Sequence, residues 1–320
     1  MLMTSLLWDQ HLCLPLQSDT DVSPLNRYQR AGGALVSVNA GYSPHSLQDT
    51  LAFLRRYRGA VDAQPGLALA ATVDDVATIT NSGNVAVVFD LEDSRPLDDD
   101  LDNLRVLAEL GVRTLLPTYN HANRAGSGCL DTDDGGLTAW GRAIVKELNE
   151  VGIVRDGSHC SARTGLDMCE TSTGPVIYSH SCMKAVWDHP RNVSDDQARA
   201  CAATGGVIGI TGVGIFLGPN TPTLEAMTRH LEYAIELVGI DHVGISSDFS
   251  FDYADFIDEL TRNPHMFDDS YTRWGPIQWM APETLLTLGE HLSQRGWTTA
   301  DIHAVLGGNF LRVAKRAWRA

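Results

Sequence analysis

Short apolar runs alternate with longer stretches of helical period along almost the whole chain. Eight of these runs read as strands: Leu6–Leu14, Ala34–Asn39, Val85–Glu92, Thr114–Tyr119, Ile153–His159, Val176–His180, Val207–Thr211 and Val243–Asp248. Helical segments such as Leu101–Leu110 and Trp140–Val151 lie between them. In the second, Trp140, Ile144, Val145 and Leu148 share one face, Thr138 is placed to cap the start, and Gly152 ends it. Ser194 precedes Asp195 and Asp196, acidic residues suited to a first helical turn. Strand followed by helix, eight times, predicts an α/β fold whose parallel sheet closes into a (β/α)8 TIM-like barrel; an open doubly wound sheet is the alternative. The segment after the last strand breaks this rhythm with NPH, DDS and WGP punctuation. It is expected to lie over the barrel mouth as a cap-like excursion at about 251–282, within one domain spanning 1–320. Ala300–Ala317 reads as a closing helix.

Composition narrows the picture further. With 320 residues, 43% hydrophobic and 20% charged, the chain can bury a large core. A formal net charge of −16 argues against a nucleic-acid partner. The opening MLMTSLLWDQH lacks the basic and long apolar regions of a signal peptide, and no apolar run approaches a membrane span. A cytoplasmic protein is expected, and exposed apolar helix faces would permit a homodimer. The six cysteines include no CxxC pair, so reduced thiols are expected.

Four of the strands finish on metal-ligating residue types, Glu92, His159, His180 and Asp248, and His11 stands near the end of the first. In a barrel, strand ends form the functional face, where imidazoles and carboxylates converging on the rim make a divalent-metal site, with zinc the simplest choice. A carboxylate such as Glu92 can bridge two cations and hold a hydroxide between them. Asp248 is placed to take a proton from the attacking water and pass it to a leaving nitrogen.

The stretches WDQHLCLPL, VVFDLEDS, GGLTAWGRAIVKELNEVGIVRDGSH, GPVIYSHS, DHPRNVSDDQ, GGVIGIT, VGISSDF and GGNFLRV carry a more specific signal. In this order they resemble the membrane dipeptidase (renal dipeptidase) family, peptidase family M19 of the amidohydrolase-like superfamily, from one end of the chain almost to the other. The resemblance implies a zinc metallo-dipeptidase with Glu92 as bridging ligand, His159 and His180 on one metal, and His11 and Asp248 on the other. Arg191 falls where the family grips the substrate's terminal carboxylate, a task suited to a planar two-pronged donor. Asn309 lies in the matching closing stretch.

Two departures stand out. The family's first motif is His-x-Asp, whereas this chain has His11-Leu12-Cys13. Cys13 either ligates as a thiolate, leaves the second metal weak or absent, or only fills space. Tyr119 stands where many relatives place a histidine that steadies the reacting carbonyl; a phenol can donate there too, and His121 is a nearby substitute. Among weaker features, His189 reads as a loop residue, Asp9 as orienting the first loop, and Cys182 as filling space. Asp93 is expected either to hydrogen-bond a ligand histidine or to be solvated. Phe267, Tyr271, Trp274 and Trp279 would wall the substrate pocket or pin the excursion to the barrel.

The leading expectation is hydrolysis of dipeptides or related small N-acyl amino acids at one or two zinc ions. Alternatives are a metallohydrolase acting on an amide or lactone of a specialised metabolite, and a non-catalytic family member with a degraded metal site.

Overall fold

The computed structural model describes residues 5–17 and 19–319. Residues 1–4, on which the reading of the amino terminus partly rests, lie outside them. Nine parallel strands form the sheet: β1 (Leu7–Leu12), β2 (Ala34–Asn39), β3 (Leu67–Leu69), β4 (Val85–Leu91), β5 (Val112–Leu115), β6 (Val154–Asp156), β7 (Val176–Ser181), β8 (Ile208–Thr211) and β9 (Val243–Ser246). Eight follow the order β1-β2-β4-β5-β6-β7-β8-β9, while β3 pairs only with β4. The two ends of this path meet: Asp248 N donates to His11 O at 2.9 Å, Cys13 N to Phe249 O and Phe251 N to Cys13 O at 3.0 Å each. The sheet is thus an eight-stranded barrel wrapped by helices. Every residue of β1, β2, β4 and β7 is buried, as strands packed on both faces must be.

The helices start and stop where local chemistry dictates. Thr138 Oγ1 accepts from Gly141 N, and Gly152 closes the helix Ala139–Val151 in the left-handed region at φ 81°. Ser194 forms a capping box with Gln197. The closing segment is not one uninterrupted helix. A π turn at Ala304–Gly308 separates Thr299–His303 from Asn309–Ala317. There Gly307 lies so close to β1 that a Cβ would sit 2.7 Å from the Leu6 carbonyl oxygen. Asn309 Nδ2 bonds the carbonyls of Ile240 and Val243, at 2.7 Å each, and ties the last helix to the approach to β9.

Several strands end earlier than their apolar runs suggest. β5 stops at Leu115 because Pro117 has no N–H for the ladder. β6 stops at Asp156, after which the chain turns so that His159 takes φ 63°; beyond β9, Asp248 takes φ 51°. β3 escapes the pattern because three residues are too few to show a period. In the excursion, a helix spans Tyr253–Arg262 and short 3-10 turns span Pro264–Met266 and Asp269–Tyr271. Among the described residues, no helix is long and apolar enough to cross a membrane, and all six cysteines are unpaired.

Candidate active site

Side chains alternate across a strand, so β2 sends Ser37 and Asn39 inward and β4 sends Asp90 and then Glu92 just past its end, while an irregularity in β1 between Asp9 and Leu12 brings His11 to the same face. The last members of these series meet at the carboxyl ends of the strands. Glu92 Oε1 lies 3.4 Å from His11 Nε2, 3.2 Å from His159 Nε2 and 3.3 Å from His180 Nε2. Asp248 Oδ1 is 3.6 Å from His11 Nε2, and Cys13 Sγ is also 3.6 Å from that nitrogen. Potential ligand atoms of His11, Glu92 and His180 lie within 4.8 Å of one another, as do those of His11, Cys13 and Asp248.

Each histidine is oriented by its other nitrogen. His11 Nδ1 contacts Asp90 Oδ1 at 3.0 Å, and Ser37 Oγ donates to Asp90 Oδ2 at 2.5 Å. His159 Nδ1 pairs with Asn120 Oδ1 at 2.7 Å, which also accepts from the Tyr271 hydroxyl at 3.2 Å. His180 Nδ1 pairs with Ser179 Oγ at 2.7 Å. Asn39 Nδ2 donates to Glu92 Oε2, leaving Oε1 to the imidazoles. His159, Asp248 and Asn120 (φ 57°) all occupy the left-handed region, where non-glycine residues are uncommon and cluster at functional sites.

The electrostatics call for a cation. Burial drives Glu92 up to about 8 and Asp248 up to about 6. Burial also holds His159 and His180 well below the ordinary imidazole range, with Arg191 and His11 adding to it, so both are neutral donors of a lone pair. Burial opposes the charging of His11, but the Asp90 and Glu92 carboxylates outweigh it and hold that ring well above its ordinary range. His180 Nε2 is buried and lacks a hydrogen-bond partner of good geometry. Neutral imidazoles turned onto an acid oxygen, with one ring nitrogen unsatisfied, are the donor set a divalent ion requires. The residues present fit such an ion.

A solvent-open cavity covers Glu92, Asp248, Cys13, Tyr119 and His159. Phe267, Tyr271 and Trp279 line it, whereas Trp274 lies outside and packs on Trp187. Tyr119 stacks on His159 with ring centroids 4.1 Å apart. Arg191 lines an adjoining cavity that shares His159. It is buried, donates from Nη2 to the His180 carbonyl at 3.1 Å, lies over the Phe216 ring at 5.1 Å, and leaves Nε unpaired.

Other expected residues have structural tasks. Asp93 neither contacts a ligand histidine nor faces water. It is buried and accepts from Arg95 N, Tyr119 N and Asn123 Nδ2, which fixes the backbone of Tyr119. His189 is fully buried, with Nε2 at 3.3 Å from the Ser270 carbonyl. His121 pairs with Asp131 at 3.1 Å, and Asp9 accepts from Tyr28 and Ser247. Cys182 is buried with its thiol toward the Thr211 carbonyl.

A sequence model of the membrane dipeptidases (peptidase family M19) matches residues 10–268, a span holding every ligand candidate above. The chain belongs to this family. Dipeptidase verJ of Clonostachys rogersoniana is 35% identical over 185 residues, 57% of this chain and 48% of that protein. The uncharacterized dipeptidase C965.12 of Schizosaccharomyces pombe is 30% identical over 250 residues, 76% of this chain and 56% of its own. The chain therefore spans about half the length of these two curated relatives. An uncharacterized protein in the pqqA 5′ region of Klebsiella pneumoniae is 30% identical over 265 residues and is covered to 90%. Among solved structures, an amidohydrolase from Pseudomonas aeruginosa superposes with a TM-score of 0.89 at 25% identity, covering 99% of this chain and 98% of that one. A metallopeptidase from Rhodobacter sphaeroides, liganded with a phosphinate mimic of the dipeptide L-Ala-D-Ala, shares the fold with a TM-score of 0.79 at 21% identity, over 98% of this chain and 100% of that one.

Proposed function

We propose that this M19 protein is a zinc-dependent dipeptidase that hydrolyses dipeptides or related small N-acyl amino acids. The observation that carries the reading is the convergence of His11, His159 and His180 Nε2 on the single oxygen Glu92 Oε1. Glu92, His159 and His180 would hold one ion; His11 and Asp248, with Cys13 beside them, would hold a second. When bound, such ions polarise a carbonyl and acidify water toward neutrality.

The protein's own groups supply the rest. Asp248, partly open to the cavity, can take a proton from the attacking water and deliver it to the departing amine. Tyr119, held by its stacking on His159 and by Asp93 at its backbone, places a phenol in the cavity as a donor to the developing oxyanion. Arg191, buried with a free Nε, offers a fixed cation to the substrate carboxylate from the adjoining cavity. The test is hydrolysis of a dipeptide panel by protein stripped with a chelator and then reloaded with zinc. Cleavage restored by zinc supports the reading. Zinc-loaded protein that cleaves lactones or non-peptide amides but no dipeptide overturns it.

A further inference from the structure

The cavity over Glu92 and Asp248 is also lined by Asp255, Phe256 and Glu259 of the helix Tyr253–Arg262. Asp255 and Glu259 are four residues apart and project from the same helix face. Both carboxylates have neutral partners: Gln17 Nε2 donates to Asp255 Oδ1 at 2.7 Å, and Asn263 Nδ2 to Glu259 Oε1 at 2.6 Å. Among the described residues neither forms an ion pair with a lysine or arginine, and no lysine or arginine lines this cavity. Divalent ions would take up the charge of Glu92 and Asp248; Asp255 and Glu259 have only neutral donors and the neighbouring His45 ring, which burial holds below its ordinary range.

A second feature points to the same place. Tyr42 lines the cavity, is only 7% exposed, and its hydroxyl lacks a hydrogen-bond partner of good geometry. Burial, and then the charge of Glu259 and a side-chain contact with its carboxylate, hold that phenol above its ordinary range, so the hydroxyl faces Glu259. The Tyr42 ring lies 5.0 Å from that of Tyr119, which stacks on His159 at 4.1 Å. A line of rings thus runs from a metal-ligand candidate outward to an acid that no lysine or arginine neutralises. Aromatic faces and uncompensated carboxylates in a cleft with apolar walls share one preferred guest, an organic cation.

We propose that this outer part of the cavity binds the ammonium or guanidinium group of a basic side chain, with Glu259 and Asp255 as its counter-charges and Tyr42 and Tyr119 as its aromatic wall. The protein then selects dipeptides carrying lysine or arginine and disfavours acidic ones. This rests on the dipeptidase reading above and narrows its substrate class.

The experiment compares kcat/KM of the zinc-loaded protein for Lys-Ala and Ala-Lys with that for the same dipeptides carrying norleucine in place of lysine. In at least one pair lysine is preferred by roughly tenfold or more. Glu259→Gln brings that ratio toward one, and Glu259→Lys inverts it. Equal rates in both wild-type pairs, or a ratio that survives both substitutions, overturn the inference while leaving the dipeptidase reading intact. If no dipeptide is cleaved, that reading fails, and calorimetric binding of the same dipeptides decides the inference alone. Tighter binding of the lysine form, lost in Glu259→Gln, sustains it; equal binding overturns it.

Discussion

His11 Nδ1 lies 3.0 Å from Oδ1 of Asp90, and this contact leaves Nε2 of the same ring facing Glu92 and Asp248. A ligand imidazole held by a carboxylate has its tautomer and ring orientation set before any ion arrives. Asp90→Ala should therefore weaken metal binding about 10- to 100-fold, as read by competition with a chelating indicator. Unchanged affinity in a folded variant would show that Asp90 only fills the barrel.

Cys13 defines a second expectation. Its thiol is pushed up to about 12 by burial and must lose a proton before it can ligate. The site built on Glu92, His159 and His180 should thus be the tighter of the two. Cys13→Asp, which restores a hard oxygen donor beside His11, should raise the affinity for the second equivalent of zinc in a calorimetric titration. Two equally tight sites in the wild-type protein, indifferent to Cys13→Ala, would contradict this.

The metal-ligand candidates were legible in the sequence because Glu92, His159, His180 and Asp248 stand at the ends of apolar runs and His11 near the end of the first, and a parallel barrel gathers such ends on one rim. Their supports were harder to see. Asp90 sits two residues before Glu92, and period-two alternation puts both on one face, so a signal was present. Asn39 carries the same signal within its strand, whereas the irregularity in β1 between Asp9 and Leu12 breaks it around His11. Asn120 carries none, because it follows Pro117 in an irregular segment and reaches His159 only through its own left-handed turn. Glu259 and Tyr42 come from a segment with no strand rhythm and from a loop after β2, and only folding brings them to one cavity.

Two histidines away from the metal-ligand cluster should contribute to the acid limit of stability. Burial lowers His189 and His230 to about 4. His230 accepts from Met183 N at 3.1 Å and has Nε2 at 3.2 Å from the Leu217 carbonyl, a pairing that suits the neutral ring. The unfolded chain binds protons at these residues below its ordinary histidine pKa near 6.5, while the folded chain refuses them until about pH 4. Their stabilising contribution is therefore intact above about pH 6.5 and falls as pH drops toward 4, by up to roughly 1.4 kcal/mol per pH unit for each ring. Urea unfolding between pH 7 and pH 4.5 should show this slope, and His230→Gln should make it shallower. A slope unchanged in His230→Gln would remove that residue from the account.

Substitution of Arg191 tests substrate recognition apart from folding. Arg191→Ala should lower kcat/KM for a free dipeptide by roughly ten- to a hundredfold, while a dipeptide amidated at its carboxyl end loses little. Equal losses on both substrates would mean that Arg191 serves the fold through its bonds to the His180 carbonyl and the Phe216 face.

The central claim is that Glu92 Oε1 is the point on which the metal site is built. Its most direct test is the zinc content of gently purified protein, measured by elemental analysis beside that of Glu92→Ala, with circular dichroism confirming that both are folded. The account predicts one to two equivalents of zinc in the wild-type protein and loss of most of it in the variant. Equal zinc in both proteins, or a folded wild-type protein that takes up none from zinc-supplemented buffer, would contradict it.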